Sequence, residues 1–293
     1  MVKSPCSSDN TLAYEKEGEK MSNKKDSLGD RMKRYENVTR TYLTRRTPAI
    51  IRLDGKSFHS FTRGFKKPFD DILVKSMQDT MKYLCENIQG CVLGYTQSDE
   101  ITLVLVDYKT RESDAWFDNN IQKMASISAS MATMAFNRAF DEHRCEFIDT
   151  LALFQDFEDE RKYLDALWRS HERGAMFDSR VFTLPKEEVV NCLIWRQQDA
   201  TRNSIQSVGQ ANFSDKQLHK KNCDQIQDML FIEKGINWND YPTHLKRGSC
   251  CIKVPVKINE GTDKEVVRNK WVIDNEIPIF TQDKDYVNKL VMI

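Results

Sequence analysis

No stretch of this sequence comes near the roughly 20 consecutive apolar residues that a membrane-crossing helix requires. The opening residues also lack the apolar core of a secretion signal. The reading is of a soluble protein with no membrane partner, cytoplasmic, or mitochondrial if the source is eukaryotic. Paired Cys-x-x-Cys spacing is missing as well. The 8 cysteines, Cys6, Cys85, Cys91, Cys145, Cys192, Cys223, Cys250 and Cys251, are scattered, which argues against a zinc knuckle or ribbon and fits reduced thiols. Net charge is absent too: 44 Lys+Arg balance 44 Asp+Glu. A polyanion would therefore be gripped by local patches and not by the overall field. There is no internal repeat, and no low-complexity tract beyond a polar start.

What is present is enough chain for one large domain and a smaller module, at 293 residues and 34.2 kDa. Residues 1–27, rich in Lys, Glu and Ser, offer no apolar face and read as a polar, disordered leader. Ala49 to Leu53 is a short apolar run that stops at Asp54-Gly55, the pattern of a buried strand delivering an acid to a turn. After Pro68, Asp70 and Asp71 suit a helix start, and Ile72, Leu73, Met77, Met81 and Leu84 form a helical stripe. Cys91 to Tyr95 and Ile101 to Val106 read as two strands joined by a polar hairpin tip, Thr96 to Glu100. A second helix is expected over Asp118 to Phe140, a charged helical insertion near 141–170, a strand over Phe177 to Leu184 and a helix over Glu187 to Ser207. Strand, helix, hairpin, helix, strand is the ferredoxin-like split β-α-β order, so the expected class is α+β: a palm-like antiparallel sheet with helices on one face. The expected boundaries are 28–207 for this catalytic domain and 208–293 for a C-terminal extension of loops and short strands.

That topology sets Asp54 beside the hairpin tip. Two carboxylates at neighbouring strand ends make a seat for Mg²⁺, which takes hard oxygen ligands, and two such ions activate a hydroxyl and stabilise a leaving phosphate. Gly55 lets main chain approach such a site. The N–H groups of Lys56, Ser57, Phe58 and His59 form a candidate phosphate nest, with Lys67 as a point charge beyond it. Each signal alone has an ordinary reading: Asp-Gly after a strand is commonly a turn, a Ser-Asp-Glu tip a solvated one.

Together they carry more. Ile51-Arg52-Leu53-Asp54-Gly55-Lys56-Ser57-Phe58-His59-Ser60-Phe61, then Lys67-Pro68 and Asp70, then Gly94-Tyr95-Thr96-Gln97-Ser98-Asp99-Glu100, and finally Trp195-Arg196-Gln197-Gln198-Asp199, resemble the motifs of the tRNA-histidine guanylyltransferase family in order and spacing. The resemblance spans about Arg31 to Val256. It implies a nucleotidyltransferase that works on the 5′ end of tRNA in the 3′-to-5′ direction after ATP or GTP activates the 5′-phosphate. It further implies two Mg²⁺ ions on Asp54, the Gly55 carbonyl and Asp99, Glu100 as a supporting acid, a nucleotide pocket from Asp54 to His59 with Lys67, Ser98 and Asp99, and a homotetramer.

One stretch departs from the family. Where guanylyltransferases proper carry Cys-His-Ile-Asn-Asn-Leu-Tyr-Asn, this chain has Ala200-Thr201-Arg202-Asn203-Ser204-Ile205-Gln206-Ser207. That is similar to the guanylyltransferase-like branch, which repairs truncated tRNA 5′ ends against a template; guanylate addition to tRNA-His is the alternative. Candidate RNA contacts are Arg196, Arg202, Asn203, Lys246 and Arg247, while Trp195, Trp238 and Tyr241 either stack an end base or are simply buried. Two other classes remain: a nucleotide cyclase, which shares the palm and both acids, and a non-catalytic RNA-binding protein, which would show aromatics on its central strands.

Overall fold

The computed structural model describes residues 27–154, 157–258 and 266–293, so the polar leader expected over 1–27 lies, but for Ser27, outside the described residues. The chain divides into a unit ending at Arg40 and a larger unit from Thr41 to Ile293. In the first, helix α1 (Leu28–Asn37) is capped by Ser27, whose side chain accepts from the Asp30 N–H.

The larger unit is built on one six-stranded antiparallel sheet, ordered β4-β1-β3-β2-β5-β6. Its strands are β1 (Ala49–Gly55), β2 (Cys91–Gln97), β3 (Glu100–Leu105), β4 (Phe177–Thr183), β5 (Ser249–Ile258) and β6 (Val266–Asp274). The first four make the ferredoxin-like order expected of a palm. One face carries α3 (Asp71–Asn87) and α4 (Ile121–Phe154), packed on Ile51, Leu53, Ile101 and Leu103. Asp70 starts α3 as its N-cap, accepting from the Leu73 N–H. Cys85 of α3 meets the thiols of Cys91 and Cys251 on this face, all three buried.

Three expectations need correction. The second helix does not stop at Phe140: with no Gly or Pro to break it, α4 runs on to Phe154, and α5 (Phe157–Arg173) returns beside it. The segment near 141–170 is thus a continuation and return of a core helix. Helices are not confined to one face either. Helix α6 (Lys186–Asn212) and α10 (Asp285–Val291) cover the other, where Ile50, Leu93, Tyr95 and Val104 pack with Val189, Leu193, Phe280 and Val287. Finally, residues 208–293 do not stand apart. Strand β5 pairs with β2 over four residues, Leu93↔Ile252 to Thr96↔Ser249, and the short helix α7 (Asp215–Leu218), α8 (Cys223–Lys234) and α9 (Thr243–Arg247) sit between α6 and that strand in sequence. An apolar cluster of Ile205, Val208, Phe213, Ile226 and Leu230 ties α8 to α6.

Candidate active site

Strand β1 ends where it was expected to, and pairing decides what it meets. Asp54 is registered against Glu100 on one side and Asp178 on the other, and the Gly55 N–H donates to the Asp99 carbonyl at 3.0 Å. The strand-end acid and the hairpin tip therefore share one corner of the sheet. Ser98, in the left-handed region at φ 49, turns the tip so that β3 restarts at Glu100, and its hydroxyl donates to Asp99 at 3.0 Å. Beyond Gly55 the chain turns at once into the single-turn helix α2 (Phe58–Phe61). A Cβ at Gly55 would lie 2.3 Å from the Phe58 ring, which packs on Phe61, Phe136 and Phe177. Glycine is needed here to seat that ring. Phe58 thus serves the core through its side chain, and can offer a ligand only its backbone.

Asp99 has no ion-pair partner among the described residues, and Asp54 has one guanidinium at the outer limit of an ion pair. Burial, and then the charge of Asp54, push the Asp99 carboxyl above its ordinary value, against the Ser98 hydrogen bond that lowers it. Asp54 has a guanidinium, Arg180 on β4, only at 3.9 Å. Among the described residues no group of three or more His, Cys, Asp or Glu side chains converges as a metal site. A cation here would take two carboxylates, main-chain oxygen and oxygens of a substrate. That donor set suits Mg²⁺, which keeps several ligands from water or phosphate.

Glu100 is in a different situation from the supporting acid expected of it. Arg196 of α6 donates to both its oxygens, at 2.9 and 3.2 Å, and Arg52 stands 3.8 Å away. Burial raises this carboxyl while the two guanidiniums hold it down. Arg196 is itself buried, so it is not an RNA contact; its charge is committed to Glu100 and to Asp199, 3.6 Å away. Lys56 also leaves the expected nest, because its N–H donates to the Met176 carbonyl at 2.8 Å. Ser57, Phe58 and His59 keep the turn position, with Ser57 left-handed at φ 54.

Next to the hairpin tip opens a cavity of about 230 Å³ lined by Lys66, Lys67, Thr96, Gln97 and Ser98 on one side. Ala200, Asn203, Ser204 and Ser207 of α6 form another wall, and His244, Lys246 and Gly248 close it. Lys67 and Ser98, both expected in the nucleotide pocket, line this one cavity, whereas His244 was not singled out from the sequence. Burial lowers that imidazole below its ordinary value, against the nearby charges of Glu276 and Asp71. Of the other expected RNA contacts, Arg202 is exposed and pairs with Asp199, Asn203 faces the cavity, and Lys246 donates to the Asn239 carbonyl at 2.6 Å. Arg247 supports the sheet through its carbonyl, which accepts from Tyr95. Trp238 is half-buried and donates its indole N–H to Ser204, Tyr241 packs on Phe69, and Trp195 is exposed.

An antiparallel palm with two carboxylates meeting at one corner, a polar turn beside them and a cavity alongside is the frame of a nucleotidyltransferase. A family model described as tRNAHis guanylyltransferase matches residues 29–185, and the chain belongs to that family. Among solved structures, a bacterial tRNA(His) guanylyltransferase-like protein in complex with ATP shares 42% of residues at TM-score 0.74, covering 92% of this chain and 100% of its own. The Saccharomyces cerevisiae guanylyltransferase structure, 21% identical at TM-score 0.58 over 85% of this chain and 98% of its own, shares the fold. A curated relative, protein R259 of Acanthamoeba polyphaga mimivirus, is 29% identical over 89% of this chain and 86% of its own length. No helix among the described residues is long and apolar enough to cross a membrane.

Proposed function

We propose that this chain restores missing nucleotides at the 5′ end of truncated tRNA, adding them in the 3′-to-5′ direction against the opposite strand as template. The observation that carries this reading is the pattern of likeness. Identity is 42% to a guanylyltransferase-like protein along 92% of the chain, against 26% to the yeast guanylyltransferase over 68%. The α6 stretch that departs from guanylyltransferases proper, Ala200 to Ser207, supplies a wall of the cavity beside the tip.

In this reading Asp54, Asp99 and the Gly55 carbonyl hold two Mg²⁺ ions. When bound, the ions supply Lewis acidity toward the reacting phosphate and lower the pKa of the attacking hydroxyl. The turn Ser57 to His59 and Lys67 hold triphosphate oxygens, and the cavity takes the base and ribose. Two relatives' structures, described as complexes with ATP and with GTP, support nucleoside triphosphates as substrates. Activation joins the tRNA 5′-phosphate to the α-phosphorus of ATP or GTP and releases pyrophosphate. The 3′-hydroxyl of the incoming nucleotide then attacks the activated 5′-phosphorus, the new P–O bond forming as the bond to the nucleoside monophosphate breaks. Positioning is most of what such chemistry asks of a protein. Glu100 acts by position, keeping Arg52 and Arg196 on the sheet. The assembly is a homotetramer, the tRNA being long for one charge-balanced chain.

Guanylate addition to tRNA-His is the second reading, favoured by the description of the matching family. Two 5′-monophosphorylated substrates separate them: a tRNA lacking its first nucleotide, and an intact tRNA-His, each with Mg²⁺, ATP and the four triphosphates. Template-matched filling of the first supports repair; guanylate addition to intact tRNA-His as fast or faster supports the second reading. Incorporation into neither would overturn both and return the nucleotide cyclase.

A further inference from the structure

A single exposed aromatic is ordinary, but a tryptophan that carries stacked guanidiniums beside a catalytic corner is worth asking about. Trp195 is 52% exposed although its helix neighbours Leu193 and Arg196 are buried. It lies one turn before Asp199 on the polar side of α6, above the sheet face that bears Arg52, Asp54 and Glu100. The Arg196 guanidinium stacks on its ring, 3.5 Å from the centroid, and Arg52 stands 5.7 Å away. Both cations are fixed by Glu100. Charge held by Glu100 therefore covers part of the indole, while about half of the residue's surface stays exposed.

This is the construction of a stacking surface. A guanidinium bonded to both oxygens of a largely shielded carboxylate is held against the ring, which favours one orientation of the indole and lowers the ordering cost on binding. Arg52 precedes Asp54 by two residues on one strand, about 7 Å, so the open ring lies within a base or two of the acids. Exposed cations flank it: Arg180, 3.9 Å from Asp54, and Arg202, one turn of helix beyond Asp199. An apolar plane between a two-acid corner and two surface guanidiniums fits a nucleobase whose phosphates run past those cations. Trp168 has a similar Arg partner, Arg144 at 5.4 Å, but lies on α5, which packs on α4.

We infer that the open face of Trp195 stacks the terminal base at the 5′ end of the RNA substrate, holding that end against the corner formed by Asp54 and Asp99. The inference rests on the function proposed above. It gives Glu100 a reason to be where it is: the carboxylate positions the platform through Arg196.

The test uses a truncated, 5′-monophosphorylated tRNA with 2-aminopurine as its first nucleotide, bound to the full chain with Mg²⁺. Stacking on an indole quenches that fluorophore. Wild-type protein is expected to quench it, and Trp195→Phe to retain most of the quenching and tRNA affinity. Trp195→Leu, which keeps bulk without a π-face, and Trp195→Ala are expected to lose quenching and to raise the apparent KM for tRNA by about 5- to 150-fold, the range a stacked base supplies, with the KM for nucleotide unchanged. A rise confined to nucleotide KM, or a lower Tm with quenching intact, would overturn the inference; the latter would mark the indole as a cover for the ion pair. Wild-type protein that fills no tRNA would instead defeat the functional reading beneath it.

Discussion

Asp99 works against the fold that carries it. Its carboxyl is held above the ordinary value by burial and by Asp54, and a group whose folded value exceeds its unfolded one stabilises the protein only while protonated. That contribution is present below the unfolded value, about 3.9, and is lost as pH rises through the folded one. Near neutrality the ionised acid is a net cost to the metal-free chain. Asp99→Asn is expected to raise Tm at pH 7, with the gain shrinking as the pH is lowered toward 4, in circular dichroism melts without Mg²⁺; a lower Tm at pH 7 would mean that the carboxylate is stabilised by its contacts. Turnover should move the other way. Asp54→Ala and Asp99→Ala are each expected to lower kcat by at least about a hundredfold, since several kcal/mol of charge stabilisation depend on these ligands, and activity surviving either would remove that residue from the site. Both acids were legible in the sequence because one ends an apolar run and the other tips a hairpin. The partner of Glu100 was not: Arg196 lies 96 positions away, and only the packing of α6 across the sheet brings them together.

At the scale of elements, α6 does two jobs, and they explain why its sequence reads ambiguously. Val189, Leu193 and Val208 are buried, whereas Cys192, Trp195 and Asp199 lie near the Arg52, Arg196 and Glu100 group and Asn203 lines the cavity. Its small side chains at 200, 204 and 207 leave the cavity open. Ala200→Leu is expected to fill part of the 230 Å³ and raise the KM for nucleotide by about tenfold, roughly 1.4 kcal/mol, while tRNA binding stays within twofold; an unchanged nucleotide KM would place the base elsewhere. Helix α8 was missed although its signals were present: Asn222 and Gln225 form a reciprocal capping box, and Gly235 ends the helix at φ 65. Its weakly amphipathic body hid it, because Ile226 and Leu230 are its buried residues, Cys223 and Met229 are half-buried beside them, and Phe231 and Ile232 are exposed. The length of α4 was hidden for another reason. Its charged stretch after Phe140 looks like a surface insertion until α5 is seen to fold back on it.

For the whole molecule, the main consequence is that the sheet crosses the boundary expected at residue 207. Strand β2 has β3 on one side and β5 on the other, and Leu93, Tyr95 and Cys250 are buried together. A chain ending at 207 would expose the β2 edge and half of that cluster. Such a fragment is expected to show no cooperative melt and no incorporation into tRNA, whereas a chain from Thr41 to Ile293 keeps its cooperative transition; a folded, active fragment would restore the two-module view. Long-range pairing of this kind cannot be read from local pattern, because nothing near Ser249 indicates which edge β5 will join.

The three thiols of Cys85, Cys91 and Cys251 come from α3, the strand β2 that follows it and the distant β5, and are sealed together beneath the sheet, while Cys145 lies exposed on α4. The protein thereby contains its own clock for opening. An aromatic disulfide reagent should reach Cys145 at once and the buried trio only when α3 lifts from the sheet, so their labelling rate measures how often the palm breathes. If tRNA is gripped across the sheet, that rate should fall when it binds, and a rate indifferent to tRNA would show that the substrate leaves the closed core as it found it.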